Sequence, residues 1–173
     1  TRMLPLLKSY KGRFVYLFSP FTGAEPLRQP PYGEYVFNLR ASYSDETEGL
    51  VDHFVSTGRS RIAVFYQADA YGRSGWDGVK KALAKNFGLK MVGEATYRRG
   101  AEYSQSFKEQ VDVIRKASAD VVISIGAYAV CAAFIRDARN AGLNIPIANL
   151  SFVGSESMAD LILQNSRSAG KDY

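Results

Sequence analysis

Two tyrosines lie at junctions between a strand and a helix, where a protein of alternating strands and helices most readily binds a small molecule. Tyr71 and Tyr128 each follow an apolar, strand-like run and lie at the start of a helical pattern. Each supplies an apolar ring and a hydroxyl group, a combination that lines pockets for small organic ligands. Residues 19–25 add hydroxyl and backbone N–H groups able to bind an anion such as a carboxylate. These residue types favour ligand binding, although the two tyrosines fit ordinary turn and packing positions equally well.

Residues that catalyse reactions or hold metals are scarce in the sequence. Cys131 is the one cysteine and His53 the one histidine, so an internal disulfide, a Cys-rich metal site and a His–His zinc site are all excluded. Asp69 and Glu94 are acids at strand-associated positions, but nothing places them as a catalytic pair. We therefore expect a protein that is not an enzyme and that uses no catalytic residue, metal or cofactor.

A different class of function depends on three glycines, Gly72, Gly75 and Gly78. They follow a predicted strand and begin a predicted helix, but their G-x-x-G-x-x-G spacing differs from the dinucleotide-binding pattern G-x-G-x-x-G. The N-terminus of such a helix can bind a phosphate group. A nucleotide-dependent α/β enzyme is therefore an alternative. Binding of NAD or ATP, and loss of that binding in Gly75→Asp, would support it.

Composition and charge limit the partners of the chain. Of its 173 residues, 46% are hydrophobic and 23% charged, which is typical of a globular protein. The net charge of +5 comes from mostly scattered basic residues, whereas a nucleic-acid surface requires a basic stripe, so we expect no nucleic-acid partner. The longest apolar runs fall well short of the ~18 residues of a membrane span. The first residues also lack the pattern of a signal peptide.

Alternating strands and helices must position these residues. Six apolar runs rich in Val, Ile, Phe and Tyr are typical of strands: 14–18, 35–39, 61–66, 90–97, 120–125 and 146–152. Helical patterns end near residue 9 and cover 44–58, 76–87, 104–117, 128–141 and 155–163. Most strands are continuously apolar, as in a parallel sheet covered by helices on both faces. The order after residue 61 predicts a doubly wound α/β fold.

Several segments then resemble those of a known family. They are SPFTGAEPL (19–27), YVFNLRASY (35–43), IAVFY (62–66), AYG (70–72), ADVVI (119–123), FIRDARNAGL (134–143) and FVG (152–154). Together, in this order and over nearly the whole chain, they resemble the type I periplasmic solute-binding proteins of the branched-chain amino-acid (Leu/Ile/Val-binding) family. The fold this implies is the periplasmic-binding-protein-like type I α/β fold.

The resemblance implies two α/β lobes that clamp a ligand between them by hinge closure. Residues 1–43 would be the end of lobe one and a hinge crossing, and residues 44–173 most of lobe two, so the chain is expected to be partial. The implied function is an extracytoplasmic protein, periplasmic or extracellular, that binds amino acids or related small carboxylates for the permease of an ABC-type uptake system. The extracellular ligand-sensing domain of a signalling receptor is the alternative within the same family.

The resemblance also assigns ligand-binding residues. Phe21, Thr22 and Gly23 would bind the ligand from lobe one, and Tyr71 and Tyr128 would close on it from lobe two.

Ser151 departs from the family pattern. Amino-acid binders place an acid near this position that pairs with the ligand ammonium, and a buried unpaired ammonium costs several kcal/mol. Either Asp69 substitutes for that acid, or the ligand lacks an amine, as a carboxylate or an aromatic acid does.

An incomplete first lobe has a consequence for association. The rest of lobe one would normally cover the apolar side chains of Leu4, Leu6, Leu7 and the run 14–18. Without it these side chains would be exposed, and exposed apolar patches above a few hundred Å² usually find a partner. We therefore expect the chain to self-associate through this surface.

Overall fold

Six helices and six strands make up the described part of the chain. The computed structural model describes residues 3–10, 13 and 15–170. The helices are α1 (Leu4–Ser9), α2 (Tyr43–Ser56), α3 (Ala70–Phe87), α4 (Lys108–Lys116), α5 (Tyr128–Asn140) and α6 (Ser155–Ala169). The strands are β1 (Leu17–Phe18), β2 (Val36–Phe37), β3 (Ile62–Gln67), β4 (Gly93–Tyr97), β5 (Val121–Ile125) and β6 (Ile147–Asn149).

Four parallel strands form the main sheet, in the order β4-β3-β5-β6. β3 lies in the interior of this sheet, where Val64 pairs with Glu94 on one side and with Ile123 on the other. Val64 and Ile123 have no exposed surface. Their complete burial is the physical reason that these strands are continuously apolar rather than alternating.

Helices cover both faces of this sheet. Phe65 points to one face, where it stacks on Phe134 of α5 with ring centroids 4.2 Å apart. Val64 and Ile123 point to the other face and pack with Leu83 of α3. The structure therefore confirms the predicted doubly wound α/β fold.

A second, smaller sheet contains only β1 and β2, which pair in parallel through Leu17↔Val36 and Phe18↔Phe37. Both strands are shorter than the predicted runs 14–18 and 35–39, because each has one pairing partner among the described residues; Phe14 lies outside those residues. Leu4 and Leu7 are 2% and 5% exposed, since α1 packs on Leu27, Tyr35 and Val36. The expectation that Leu4 and Leu7 lack cover is therefore wrong.

The last strand of the main sheet is also shorter than predicted. The apolar run 146–152 contains β6 and then a 3₁₀ turn over Ser151–Val153. Ser151 and Phe152 therefore stand in the connection that follows the carboxyl end of β6, where ligands gather in open parallel sheets.

The N-terminus of α2 carries a capping box. The Ser42 hydroxyl accepts from the Asp45 N–H, and the Asp45 carboxylate accepts from the Ser42 N–H, both at 3.0 Å. The bonds from the Ser42 backbone and side chain hold the pKa of Asp45 below its ordinary value of 3.8. Because this pKa is lowered by folding, the stabilisation is present above the ordinary value and is lost as the pH falls through the folded value.

Asp45→Asn is therefore expected to lower the free energy of unfolding near pH 7 by less than about 1 kcal/mol, since the carboxylate is exposed. The difference from the wild type should shrink towards zero at pH 3. Urea unfolding of both proteins at the two pH values measures it. If the variant loses the same free energy of unfolding at both pH values, the carboxylate charge contributes nothing to the cap.

No helix within the described ranges is long and apolar enough to cross a membrane. Among the same residues, no group of three or more His, Cys, Asp or Glu side chains is placed to hold a metal ion. Cys131 is buried in α5, and burial raises the pKa of its thiol to about 12.

Candidate ligand-binding cleft

Four aromatic rings meet between the smaller sheet and the carboxyl ends of the main sheet. Phe152 lies at their centre: its ring centroid is 4.7 Å from Tyr71, 5.2 Å from Phe21 and 6.2 Å from Tyr43. Tyr43 and Tyr71 are 5.1 Å apart. Since Phe21 comes from the loop after β1 and the other rings from α2, α3 and the loop after β6, the cluster joins the two predicted lobes. We call the surface around this cluster, at the junction of the two predicted lobes, the cleft.

The loop at residues 21–23 is fixed to α2 by two hydrogen bonds. The hydroxyls of Thr22 and Tyr43 share one of 3.0 Å, and the Tyr43 N–H donates the other, of 2.9 Å, to the Gly23 carbonyl. A Cβ at Gly23 would lie 2.8 Å from the Tyr43 ring and 3.0 Å from the Ala41 carbonyl oxygen. Gly23 therefore allows the loop to approach α2 this closely.

Arg40, in the crossing between β2 and α2, bridges the two sides of the cleft. Its guanidinium donates to the Phe21 carbonyl at 2.7 Å and lies 4.5 Å from the centroid of the Phe21 ring. The same group donates to the Ser151 hydroxyl oxygen and lies 4.0 Å from the Glu46 carboxylate.

Glu46 supplies an acid beside Ser151. Its carboxylate accepts from the Ser151 N–H at 2.8 Å and from the Ser151 hydroxyl at 2.7 Å. The first turn of α2 therefore places a carboxylate beside Ser151, the position at which the family pattern has an acid and this sequence has a serine. Neither Glu46 nor Arg40 is among the site residues predicted from the sequence.

Tyr71 is half-buried at the start of α3. Its hydroxyl oxygen is buried and has no hydrogen-bond partner among the described residues. Burial raises the pKa of this phenol above its ordinary value, so the hydroxyl keeps its proton at neutral pH. A buried donor left without an acceptor costs about 1–3 kcal/mol, which an acceptor on a ligand would recover.

Asp69 lies behind Tyr71 as the N-cap of α3. One carboxylate oxygen accepts from the N–H groups of Tyr71 and Gly72, at 3.0 and 3.1 Å, and the other accepts from Gln67 at 2.5 Å. Gln67 in turn accepts from the Tyr97 hydroxyl, which itself accepts from the Ala127 N–H. This chain of hydrogen bonds connects the ends of β3, β4 and β5 and fixes the backbone that carries Tyr71.

Tyr128 begins α5 after β5 and is 45% exposed. Within the described ranges its ring contacts none of the four clustered aromatic rings. Of the seven residues predicted for the site, the structure groups Phe21, Thr22, Gly23, Tyr71 and Ser151 at the aromatic cluster and places Asp69 directly behind Tyr71. Tyr128 begins α5 outside this cluster.

The three glycines of α3 serve close packing. A Cβ at Gly72 would lie 1.9 Å from the Gln67 carbonyl oxygen, one at Gly75 would lie 2.7 Å from the Ile125 side chain, and one at Gly78 would lie 2.2 Å from the Thr47 hydroxyl. The first N–H groups of the helix are already bonded to the Asp69 carboxylate, whose charge repels phosphate. These contacts explain the G-x-x-G-x-x-G spacing and disfavour a nucleotide site.

Comparisons with known proteins agree with the observed fold. A family model described as periplasmic binding protein matches residues 3–166. A possible leucine/isoleucine/valine-binding protein from Rhodopirellula baltica SH 1 is similar at 29% identity and a TM-score of 0.79, over 92% of this chain and 42% of its own.

Two further solved structures are similar at 27% identity. A substrate-binding periplasmic protein from Ralstonia solanacearum has a TM-score of 0.73, over 88% of this chain and 41% of its own. An extracellular ligand-binding receptor from Verminephrobacter eiseniae has a TM-score of 0.75, over 93% of this chain and 44% of its own. The chain therefore spans less than half the length of these structures. A search of curated proteins found no match.

Proposed function

The chain belongs to the periplasmic binding protein family, and from this premise we propose that it is part of an extracytoplasmic solute-binding protein of an ABC-type uptake system. Its ligands are amino acids or related small carboxylates. Residues 1–43 contribute the end of one lobe and the hinge crossing, and residues 44–173 most of the other. The observation that carries the proposal is the aromatic cluster, in which the Phe152 ring of one lobe contacts both Phe21 of the other lobe and Tyr71 of its own.

Each residue of the cleft has a proposed part in binding. Phe21 and Tyr71 contact the apolar body of the ligand, and the Tyr71 hydroxyl donates to it. Thr22 and Gly23 hold the loop after β1 in place through Tyr43.

Three further residues have less direct parts. Ser151 lies at the rim of the cleft, and Tyr128 covers the ligand when the lobes close. For Asp69 the hydrogen bonds favour positioning of Tyr71 over pairing with a ligand ammonium, because three donors already occupy its carboxylate.

A panel of solutes tests the proposal by thermal shift. The panel contains L-leucine, L-phenylalanine, 3-phenylpropanoate, NAD and ATP. A ligand at 100 times its Kd adds about 2.7 kcal/mol to the stability of the folded chain. For a chain of this length the unfolding midpoint then rises by about 5–10 °C. We expect such a rise with an amino acid or a carboxylate. A rise with NAD or ATP alone, or with none of the five, would contradict the proposal.

We also propose that the smaller sheet mediates self-association through an exposed aromatic face. Phe18 and Phe37 are 68% and 51% exposed, and their rings stack with centroids 4.7 Å apart and an angle of 6° between them. Tyr16 packs edge-on against Phe37, and Leu39 beside it is also exposed. A flat apolar face of this kind suits a second copy of the same chain.

Phe37→Asp is therefore expected to weaken self-association at least about tenfold, because a charge at the centre of the face must be desolvated for two copies to meet. Sedimentation equilibrium over a range of concentrations measures the change. Leu163→Asp, at an exposed position on α6, is the control and should leave association unchanged. A wild type that remains monomeric at every concentration would contradict the prediction.

A further inference from the structure

We propose that the outer edge of β4 and the groove beside it dock an extended acidic segment of a partner protein, which adds to the main sheet as a further strand. This inference goes beyond the proposed function and does not depend on the ligand of the cleft. Three features meet at this edge: an open strand, an apolar groove, and basic side chains that have no acidic partner.

β4 is an edge strand of the main sheet. It pairs with β3 on one side, and among the described residues no strand pairs with it on the other. Within the same residues one side chain reaches its backbone: Gln110 of α4 donates to the Thr96 carbonyl at 3.4 Å. An open edge of this kind offers backbone donors and acceptors to an added strand.

An apolar groove of about 450 Å³ lies between this edge and α3. Its lining includes the side chains of Trp76, Leu89 and Met91, which are all partly buried. The Trp76 indole N–H donates to the Glu94 carboxylate of β4 at 2.5 Å, which holds the ring against the strand. The groove therefore offers a fixed apolar surface to a side chain of a strand added along β4.

Basic side chains lie at both ends of β4. Lys80 and Lys90 line the groove at the amino end of the strand, and the Lys80 Nζ is 5.0 Å from the centroid of the Trp76 ring. Arg98 and Arg99 follow the strand at its carboxyl end, and both are exposed. An added strand would therefore meet cations at each of its ends.

Arg73 adds a further guanidinium at the carboxyl end. Because β3 and β4 are parallel, α3 between them runs in the opposite direction, and Arg73 lies about one turn before Trp76. Since Trp76 contacts Glu94, this places Arg73 beside the last residues of β4. Burial raises the pKa of the Tyr66 phenol, Glu94 raises it further and Arg73 opposes the rise, so both charges lie near this hydroxyl.

The basic residues at this edge outnumber the acids. Glu94 is held by the Trp76 indole, Asp77 is paired with Lys81, and Glu102 follows in the loop after β4. Among the described residues five basic side chains form neither an ion pair nor a hydrogen bond: Arg73, Lys80, Lys90, Arg98 and Arg99. A second copy of this chain, with the same edge and a net charge of +5, would be repelled, whereas an acidic segment would be attracted.

The groove favours a peptide over a nucleic acid. Among its lining residues Trp76 is the one aromatic ring, and this ring is partly buried with its N–H bonded to a carboxylate. Single-stranded nucleic acids bind through exposed rings on which successive bases stack. An extended peptide instead uses both the open backbone of β4 and the apolar groove.

A blocked peptide, Glu-Glu-Thr-Leu-Thr-Glu-Glu, tests the proposal. As a strand it presents its leucine and the two flanking glutamates on the same face. Trp76 is the one tryptophan of the chain, so its fluorescence reports binding at the groove, and isothermal titration measures the same Kd. We expect saturable binding that weakens as the salt concentration rises.

Two altered peptides separate the contributions of charge and of strand pairing. The first has lysine in place of every glutamate. The second has proline in place of both threonines, which removes two backbone N–H groups and disfavours a strand. Each should bind at least about tenfold more weakly than the acidic peptide, corresponding to about 1.4 kcal/mol.

A double variant, Arg98→Glu with Arg99→Glu, locates the site on the chain. It should weaken binding of the acidic peptide at least about tenfold. The matched control is Lys8→Glu with Arg167→Glu, which changes the net charge equally at exposed positions on α1 and α6. The control should keep the wild-type affinity. Thermal unfolding of both variants verifies that they are folded.

Several outcomes would overturn the inference. They are the absence of binding by the acidic peptide in both measurements, equal binding by the lysine peptide, and equal binding by the proline peptide. Equal losses in the two double variants would show that net charge, and not this edge, attracts the peptide. Tighter binding of a ten-nucleotide oligothymidylate would show a nucleic-acid surface instead. Each of these results leaves the proposed function of the cleft unaffected.

Discussion

Replacing Gly72 with alanine is expected to lower the free energy of unfolding by about 3 kcal/mol or more, at the upper end of what overpacking costs. The added Cβ would lie 1.9 Å from the Gln67 carbonyl oxygen and within 3 Å of two more Gln67 backbone atoms. Gln67 belongs to β3 and is paired with Tyr97. The clash therefore cannot be relieved without moving either β3 or α3, and α3 carries Tyr71 of the cleft.

Gly49→Ala is the matched control for this prediction. Gly49 is also a helical glycine, in α2, but a Cβ there meets no atom within 4 Å. This variant should gain about 0.5–1 kcal/mol, because alanine has the higher helix propensity and loses less backbone entropy. Urea unfolding followed by circular dichroism measures both proteins. Equal stability of Gly72→Ala and wild type would show that α3 begins at a greater distance from β3 than the structure places it.

Phe152→Ala is expected to weaken ligand binding by about thirtyfold, the effect of about 2 kcal/mol that is typical of a central aromatic contact. The Phe152 ring is the one that touches the other three rings of the cluster, from Phe21, Tyr43 and Tyr71. Its removal takes away one wall of the cleft and one of the contacts that connect the two lobes. Isothermal titration with 3-phenylpropanoate and with L-leucine gives the change in Kd.

Phe87→Ala is the corresponding control, since Phe87 ends α3 at a partly exposed position outside the aromatic cluster. It should leave both affinities within about twofold of the wild type, as surface changes usually stay within 0.5 kcal/mol. If Phe152→Ala binds as tightly as Phe87→Ala does, the aromatic cluster is a packing feature and the ligand is bound elsewhere.

The fold was predictable where burial determines residue type. β3 and β5 are buried on both faces, so their sequences are continuously apolar, and the glycine at 88 ends α3 where the pattern predicts. The start of α3 was predicted only from its place after a strand, at Tyr71 and Gly72, because Ala70–Gly75 carries little apolar periodicity. The first turn is specified instead by the side chain of Asp69, which caps it. The length of β6 was overestimated because an apolar run does not distinguish a strand from a buried 3₁₀ turn.

The candidate site was predictable only in part. Tyr71 was found because it stands at the junction of a strand and a helix, and Ser151 because it departs from the family pattern. Arg40 and Glu46 were missed because their contacts are distant in sequence: Ser151 is 111 residues from Arg40 and 105 from Glu46. A single sequence contains no local pattern for such contacts, which depend on how the two lobes meet.

The burial of Leu4 and Leu7 illustrates the same limit. Both belong to a short helix whose sequence gives no information on what covers it. The covering residues Leu27 and Tyr35 come from two 3₁₀ turns with no periodic pattern of their own.

The most direct test of the proposed site is to map where a small solute binds. Amide NMR spectra of the chain, recorded during titration with 3-phenylpropanoate and with L-leucine, report every backbone N–H separately. A solute bound in the cleft should shift the amides of residues 21–23, 69–72 and 151–153. Shifts centred instead on the groove beside Trp76, Leu89 and Met91, or no shifts with either solute, would contradict a ligand site at the cleft.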